Sequence, residues 1–511
     1  MGNHSEDNKR IAKNTMMLYF RMLLSMVVGF YVSRVVLEAL GARDFGIYSA
    51  VGGVVAIFTF LNTSMSGSTS RFLTFEIGKK DTEKLKRTFS SALSIHILIA
   101  LTIFVLGETI GLWLLENKLT IPEERMDSAR VVYQMSLVVS MISIIRVPYN
   151  ASIIAHERMK IYAYVEIVNV FLNLGIAYLL LKSDVDKLIL YASLILCISL
   201  IMGLFYRAYC VRNFEECRFR WGWDKTIAKP MLTFSGWDLY GNLSTMARTQ
   251  GVNILLNMFF GPLINAASAV ASQVQISVLG FATNVITAVR PQIVKSYASG
   301  DYQHMKQLIL NATKYVYLLL LILSLPIILE TEFALNLWLI DVPEYTPIFC
   351  RYTLIFNFFG TMSMIVVSGI HATGKIKRPS LINGTLYLLV IPISYIAFKF
   401  DGVPEIPYIC NVLAVFIGML SNVYTLHLYV PGFSVKEFIV RVLSICIFIT
   451  LIAVIVSLLV QRSMSDGLLR FISVALSSGA TILLLTYFIA IDRQTRHSIN
   501  NKICNFFKKK Q

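Results

Sequence analysis

Long apolar runs follow one another along the chain, and most are long enough to cross a lipid bilayer. YFRMLLSMVVGFYVSRVVLEAL, residues 19–40, is one of them. A run of about 18 or more mostly apolar residues predicts a transmembrane helix. We find about fourteen such runs, with ends set only to within several residues, at 14–38, 46–70, 89–115, 131–153, 161–181, 187–209, 231–257, 264–289, 312–333, 348–370, 380–399, 406–428, 437–460 and 467–490. This pattern predicts an all-α polytopic membrane protein.

The loops between these runs are short and carry unequal charge. Lys and Arg collect in alternate loops, such as EIGKKDTEKLKR and GKIKR, and in both termini, roughly thirty against about ten in the opposite set. Cytoplasmic loops carry such an excess in membrane proteins, so we expect both termini to be cytoplasmic. The net charge of +16 is then largely a topological signal, and it does not indicate a nucleic-acid partner.

Composition agrees with a membrane protein and offers no sign of an enzyme. The chain is 56% hydrophobic and 15% charged, whereas soluble proteins carry about 25% charged residues. The seven cysteines are scattered, with no spacing typical of a metal site or a disulfide framework. GIHATGKI nearly matches a phosphate-binding loop, but Ile376 stands where a hydroxyl is needed. We expect no enzymatic activity, no cofactor and no ATP site, so transport would be secondary.

Two parts of the sequence repeat. Gly41 and Gly261 stand 220 residues apart, as do Asp81 and Asp301, and AHERMKIYAYVEI aligns with ATGKIKRPSLING at nearly the same offset. An even number of spans separates the copies, which predicts two parallel repeats of six helices, as in transporters built from two halves. We therefore predict an N-lobe at 1–225, a C-lobe at 226–430, and two extra helices with a basic tail at 431–511.

Polar residues recur at helical spacing inside several spans. They include Asn62, Ser66, Asn169, Asn173, Asn242, Thr245 and Gln275. Small polar residues at this spacing also serve ordinary helix packing. Matching stripes in both halves favour a cavity, since polar groups avoid lipid.

Several arginines lie within spans without an obvious partner. Arg21 has no carboxylate within one helical turn, and Asp238 is about 15 Å along the helix from Arg248. Arg34 could instead form an ion pair with Glu38, which lies one helical turn later. Unpaired guanidinium groups facing a cavity bind phosphate in a bidentate manner. The predicted diphosphate-binding residues are Arg21, Arg34, Arg146 and Arg248.

Two carboxylates, Asp238 and Glu166, also lie within spans. Each could neutralise an arginine from another helix, or carry a coupling ion such as H⁺ or Na⁺. The sequence leaves both roles open.

Three motifs, LGARDFGIY, EIGKKD and ATGKIKRP, resemble those of the polysaccharide flippases, which include the O-antigen flippases. These belong to the multidrug/oligosaccharidyl-lipid/polysaccharide exporter superfamily. The resemblance implies a bacterial inner-membrane protein with two six-helix bundles. We expect it to act as a monomer whose partners are the lipid-linked oligosaccharide and membrane lipids. It also implies movement of an undecaprenyl-diphosphate-linked oligosaccharide to the outer leaflet by alternating access, driven by an ion gradient or the membrane potential.

Other functions remain open. A multidrug/cation antiporter of the same fold would use acidic residues, whereas the basic first span suits a diphosphate and repels a cation. A lipid II flippase would also need basic residues that bind a diphosphate. A membrane glycan polymerase or ligase is disfavoured, because the outer loops are too short for a catalytic domain.

Overall fold

The computed structural model describes the backbone of residues 2–117, 121–218, 224–339, 342–491 and 496. Within these ranges the side chains of some helical residues are not described, namely residues 2–13, 30, 33, 34, 37, 42, 43, 45, 46, 49, 50, 53–64, 257, 262, 263, 265 and 266. The side chains of Arg34 and Asn62, two of the predicted site residues, therefore lie outside the described part, as do residues 497–511 of the predicted tail.

The described backbone is helical and contains no strand. The α-helices are α1 Gly2–Lys79, α2 Thr82–Leu106, α3 Leu112–Asn117, α4 Glu123–Ala155, α5 Met159–Lys182, α6 Lys187–Asn213, α7 Lys225–Phe260, α8 Pro262–Ala298, α9 Tyr302–Leu329, α10 Thr331–Trp338, α11 Thr346–Thr373, α12 Lys377–Lys399, α13 Ile406–Tyr429, α14 Val435–Phe438, α15 Ser444–Arg462 and α16 Leu468–Leu485. Single π-helical turns lie at Gly107–Gly111, Ile439–Leu443 and Thr486–Ala490, and a 3₁₀ turn lies at Glu215–Cys217.

Most of the predicted spans become helices suited to a membrane. In the described part of the chain, eleven helices are long and apolar enough to cross a bilayer. They coincide with eleven of the predicted spans, and the other three, 14–38, 46–70 and 231–257, are also helical. The all-α polytopic fold class is therefore confirmed. The helices extend several residues beyond the apolar runs, because a polar first or last turn continues a helix without belonging to the apolar pattern.

The first two predicted spans are joined by a break at one glycine. Helix α1 leaves helical geometry only at Gly41, whose φ and ψ are 72° and 165°. The equivalent residue of the second repeat, Gly261, separates α7 from α8 and has a φ of 81°. Glycine adopts positive φ without the steric cost that a Cβ would add, so the sequence repeat reflects a repeated backbone turn.

The second pair of repeated residues also shares its backbone geometry. Lys80 and Gly300, which precede Asp81 and Asp301, have positive φ values of 59° and 79°. In both copies, the amide of the preceding residue bonds the carbonyl three residues back, at 3.1 Å. The aspartate amide bonds the carbonyl five residues back, at 3.3 Å and 2.9 Å respectively. This is the Schellman arrangement that ends a helix and satisfies its last carbonyls.

The chain forms two compact units. The first comprises Met1–Leu239 and Val294–Asp301, and the second comprises Tyr240–Ile293 and Tyr302–Gln511. Buried aromatic side chains anchor each core. In the first unit, the rings of Phe89 and Tyr149 meet edge to face at 5.3 Å, and in the second those of Phe349 and Tyr408 stack at 4.2 Å. The lobe boundary at 225/226 stays a prediction.

An ionic cluster holds one end of the first unit together. Arg125, at the start of α4, bonds both Asp44 and Asp186, and its bond to Asp186 is 2.8 Å long. Burial alone would raise the pKa of Asp186, but hydrogen bonds from Arg125 and Ser128 outweigh it and lower the pKa below its usual value. The cluster joins the start of α6 to α4 and to the second half of α1.

The glycine break in the second repeat gives a test of the fold. Replacing Gly261 by Ala should lower the melting temperature in detergent, because a Cβ at positive φ costs about 1–2 kcal/mol. A Cβ at Gly261 would meet nothing within 4 Å, so crowding does not contribute. Gly479→Ala in α16 is the matched control, since its Cβ also meets nothing and its backbone is helical. An equal change in melting temperature for both variants would contradict the proposed constraint.

Candidate functional site

Arg21, in the first half of α1, is half-buried against an aromatic side chain of α5. Its Nη1 donates to the hydroxyl of Tyr162 at 3.0 Å, and its guanidinium carbon lies 5.0 Å from the centre of the Tyr162 ring. Its Nε is buried and makes no hydrogen bond. Within the described residues Arg21 has no carboxylate partner, so its positive charge is not neutralised there.

Arg248, in α7, has the same kind of surroundings in the second unit. Its guanidinium carbon lies 4.6 Å from the Tyr387 ring centre and 5.0 Å from that of Phe356. Nη1 donates to Oδ1 of Asn411 at 3.1 Å, and the buried Nε has no hydrogen-bond partner. In the part of the chain that the structure describes, Arg248 forms no ion pair either.

The two arginines occupy corresponding helices of the repeats. Each lies on the first helix of its repeat and faces a tyrosine of the fifth, Tyr162 on α5 and Tyr387 on α12. Their depth differs, since Arg21 precedes its glycine break by about 30 Å of helix and Arg248 precedes its own by about 20 Å. The contact between arginine and tyrosine therefore occurs in both repeats, but the distance from the arginine to the glycine break differs between them.

A small polar cavity surrounds Arg248. Its volume is about 60 Å³, room for about two water molecules. Polar side chains from α7, α8, α11 and α13 line it, including Asn253, Ser268, Ser272, Gln275, Tyr408 and Asn411. Several of them already bond one another: Tyr408 donates to Ser268 at 2.8 Å, and Ser268 donates to Asn253 at 3.0 Å. Gln275 donates to Asn357, outside the lining, at 3.3 Å. The cavity suits one small polar group rather than a whole sugar chain.

Arg146, in α4, lines a different cavity in the first unit. Its guanidinium carbon lies 5.2 Å from the centre of the Tyr206 ring. The cavity measures about 290 Å³, has mainly apolar walls, and includes a second arginine, Arg207 of α6. The structure thus brings Arg146 together with Arg207, which the sequence analysis had not singled out.

The two acidic candidates both lie in the first unit and are half-buried. Glu166 accepts a hydrogen bond of 3.2 Å from the hydroxyl of Tyr206, the tyrosine whose ring faces Arg146. Asp238 faces the second half of α1, where its Oδ2 lies 3.9 Å from the point that a Cβ at Gly67 would occupy. Glu166 is thereby linked to an arginine through a tyrosine, while a role of either carboxylate in ion coupling stays a prediction.

The predicted polar lining is dispersed among different environments. Gln275 lines the cavity of Arg248. Asn173 and Thr245 donate to carbonyls of their own helices, at 2.7 Å and 2.9 Å. Asn169 and Ser66 are half-buried, and Asn242 is exposed. Their common role in a substrate cavity stays a prediction.

Sequence reasoning missed several residues that surround the arginines. Asn411 bonds Arg248, and Asn357 bonds Gln275 of the same cavity. Both are single amides within apolar runs, and such isolated amides are a signal that could have identified them. Tyr162, Tyr387 and Phe356 gave no comparable signal, because 12% of the chain is aromatic and rings are common at all depths.

Comparison with known proteins identifies the fold. The family model MatE matches residues 18–179, about a third of the chain. No curated protein matches the sequence. Among solved structures, a MATE transporter in the bent conformation is 15% identical and has a TM-score of 0.72, covering 83% of this chain and 96% of that one.

Two further structures give similar values. The outward-facing conformation of a multidrug resistance MATE family transporter of the MOP superfamily is 15% identical, with a TM-score of 0.69, and covers 82% of this chain and 96% of that one. An aspartate-to-asparagine mutant of the Vibrio cholerae MATE transporter VcmN is 17% identical, with a TM-score of 0.65, and covers 84% of this chain and 98% of that one. This chain therefore has the fold of the MATE transporters.

Proposed function

We propose that this protein is a secondary transporter that exports an undecaprenyl-diphosphate-linked oligosaccharide, moving it from the cytoplasmic to the outer leaflet by alternating access. One observation carries the proposal: Arg21 and Arg248 each lie over a tyrosine ring, with a buried Nε that has no hydrogen-bond partner. Both keep donors and a positive charge that a phosphate group would use.

Energetics favour an anionic cargo. An arginine within a span costs about 2.5–3.5 kcal/mol on insertion scales, and a cation–π contact returns about 0.5–2 kcal/mol. A carboxylate would offset the rest, but the described residues provide none for Arg21 or Arg248. A diphosphate supplies the missing negative charge, whereas an organic cation would be repelled at both positions.

The remaining residues have supporting roles in this proposal. Arg21 and Arg248, joined by Arg34, bind the diphosphate, and Asp238 or Glu166 carries the coupling ion, H⁺ or Na⁺. Arg146, the fourth arginine predicted to bind the diphosphate, lines a different cavity, and its part in this role stays a prediction. The sugar hydroxyls bond to polar side chains of the spans, namely Asn62, Ser66, Asn169, Asn173, Asn242, Thr245 and Gln275. The protein acts as a monomer in a bacterial inner membrane, with cytoplasmic termini and no cofactor.

An ion-coupled multidrug/cation antiporter is the second candidate, and the comparisons favour it more directly. One similar structure is of a multidrug resistance transporter, and Asp238 and Glu166 provide the acidic groups that a cation requires. A lipid II flippase would use the same diphosphate chemistry as the first proposal, so the nature of the sugar separates these two.

Binding of a prenyl diphosphate tests the arginines. We expect Arg21→Ala and Arg248→Ala, singly, to weaken the binding of undecaprenyl diphosphate to the purified protein at least tenfold, because each removes a charge-assisted hydrogen bond of about 1.5–3 kcal/mol. The measurement is the Kd in detergent, with undecaprenol as the uncharged comparison ligand.

Two controls accompany this measurement. Arg441→Ala removes an exposed arginine that pairs with Glu437 and should leave the Kd unchanged. Lysine in place of Arg21 or Arg248 should restore only part of the affinity, because lysine keeps the charge but loses the planar fork of donors. Native affinity in both alanine variants would show that the diphosphate binds elsewhere.

A drug-efflux assay separates the two candidates. Expression in a drug-sensitive bacterial strain should not raise resistance to ethidium, because the unpaired arginines repel a cation. Resistance that appears with the native chain and disappears with Asp238→Asn would overturn the flippase proposal in favour of the antiporter. Asp127→Asn, at an exposed position on α4, is the matched control.

A further inference from the structure

A groove in the first unit combines apolar walls with two positive charges. Helices α2, α4 and α6 form a cavity of about 290 Å³. Its apolar walls include Ile97, Ile142, Ile145, Tyr149, Leu200 and Leu204. Leu204 is 63% exposed and Leu200 is 45% exposed, so the α6 side of the groove is open to the surroundings of the unit, which within a span are lipid.

The two charges are Arg146 and Arg207, one from each side of the groove. Within the described residues neither guanidinium makes a hydrogen bond or an ion pair. Arg146 rests against the ring of Tyr206, and Arg207 is exposed. Both therefore offer free donors beside an apolar cavity.

Helix length places both arginines just inside the boundary of the hydrocarbon core, next to the lipid headgroups. Arg146 lies about 14 Å before the end of α4, and Arg207 lies about 9 Å before the end of α6. With 33 and 27 residues, these helices are about 50 Å and 40 Å long and exceed a hydrocarbon core of about 30 Å. If each helix is centred on the core, both arginines lie a few ångströms inside its boundary, on the side of the lysine-rich loops.

We propose that this groove binds an anionic phospholipid of the cytoplasmic leaflet. The phosphodiester bonds to Arg146 and Arg207, and one acyl chain lies along the isoleucine and leucine walls. Basic pockets between transmembrane helices on the cytoplasmic side bind anionic headgroups in this way. A zwitterionic lipid would bring an ammonium group close to two guanidinium groups, so phosphatidylglycerol is the expected class of ligand. The site is separate from the proposed transport function, because a resident lipid is not carried across.

Native mass spectrometry tests the proposal. The purified full chain is titrated with dioleoyl phosphatidylglycerol, and dioleoyl phosphatidylethanolamine serves as the zwitterionic comparison. We expect the phosphatidylglycerol adduct to weaken at least tenfold in Arg146→Gln/Arg207→Gln. Arg212→Gln, at an exposed position on the same helix as Arg207 but outside the groove, should behave as the native chain does.

A second variant tests the apolar part of the groove without changing its charge. Leu204→Trp fills the groove and should also reduce the adduct, while the melting temperature of the lipid-free protein stays near the native value. Replacing Arg146 removes its packing on the ring of Tyr206 and could destabilise the fold. If the double variant does not purify, the single variant Arg207→Gln is used in its place.

Two results would overturn the proposal. Equal phosphatidylglycerol binding by the native chain and the arginine variants would show that these arginines hold no lipid. Arginine-dependent binding of undecaprenyl phosphate without phosphatidylglycerol binding would assign the groove to the transported cargo instead. Neither result depends on Arg21 or Arg248. The lipid-site proposal can therefore be wrong while the transport proposal stands, and the reverse.

Discussion

The contact between a guanidinium and a tyrosine ring is the interaction on which the rest of the site depends. Arg21, Arg146 and Arg248 each lie within a span and over a tyrosine ring, at 5.0, 5.2 and 4.6 Å from its centre. A ring face attracts the cation without cancelling its charge and occupies few of its donors. A carboxylate would do the opposite, since it would neutralise the arginine and hold it in place. These arginines are therefore accommodated among helices while remaining able to bind an anion.

The repeat accounts for two of these contacts, those of Arg21 and Arg248. The same turns, with positive φ at Gly41 and Gly261, divide the first two helices of each half. In each repeat the first helix also lies next to the fifth, where an arginine on one faces a tyrosine on the other. The register of the arginine is not fixed by the turn, and it differs between the two halves. A duplicated scaffold thus keeps one kind of contact but places the arginine at different distances along the helix from its own glycine turn.

The fold was largely predictable because bilayer crossing imposes one pattern, a long apolar run, at every span. The sequence marked Gly41 and Gly261 as equivalent positions of a repeat, but only the structure shows that both adopt positive φ. The arginines were visible as well, because a charge within an apolar run is conspicuous. Their partners were not, because contact between Arg248 and Tyr387 depends on helix packing across distant positions. Arg207 was missed for another reason: near the end of its helix, it resembled an ordinary charge of a cytoplasmic loop.

In both of our proposals an arginine over a tyrosine ring binds a phosphate, but the arginine alone does not determine what the phosphate is attached to. The surroundings do so. Around Arg248 the cavity is small and lined by amides and hydroxyls, groups that bond to a polar headgroup and exclude an acyl chain. Around Arg146 the walls are aliphatic and the groove opens past Leu204, so a hydrocarbon chain can lie beside the charge. In these proposals the same cation–π contact serves two ligand classes, and the difference between them lies in the side chains that surround the arginine. On this argument, exchanging polar for apolar residues around an arginine changes which phosphate compound binds, while removing the arginine abolishes binding of either.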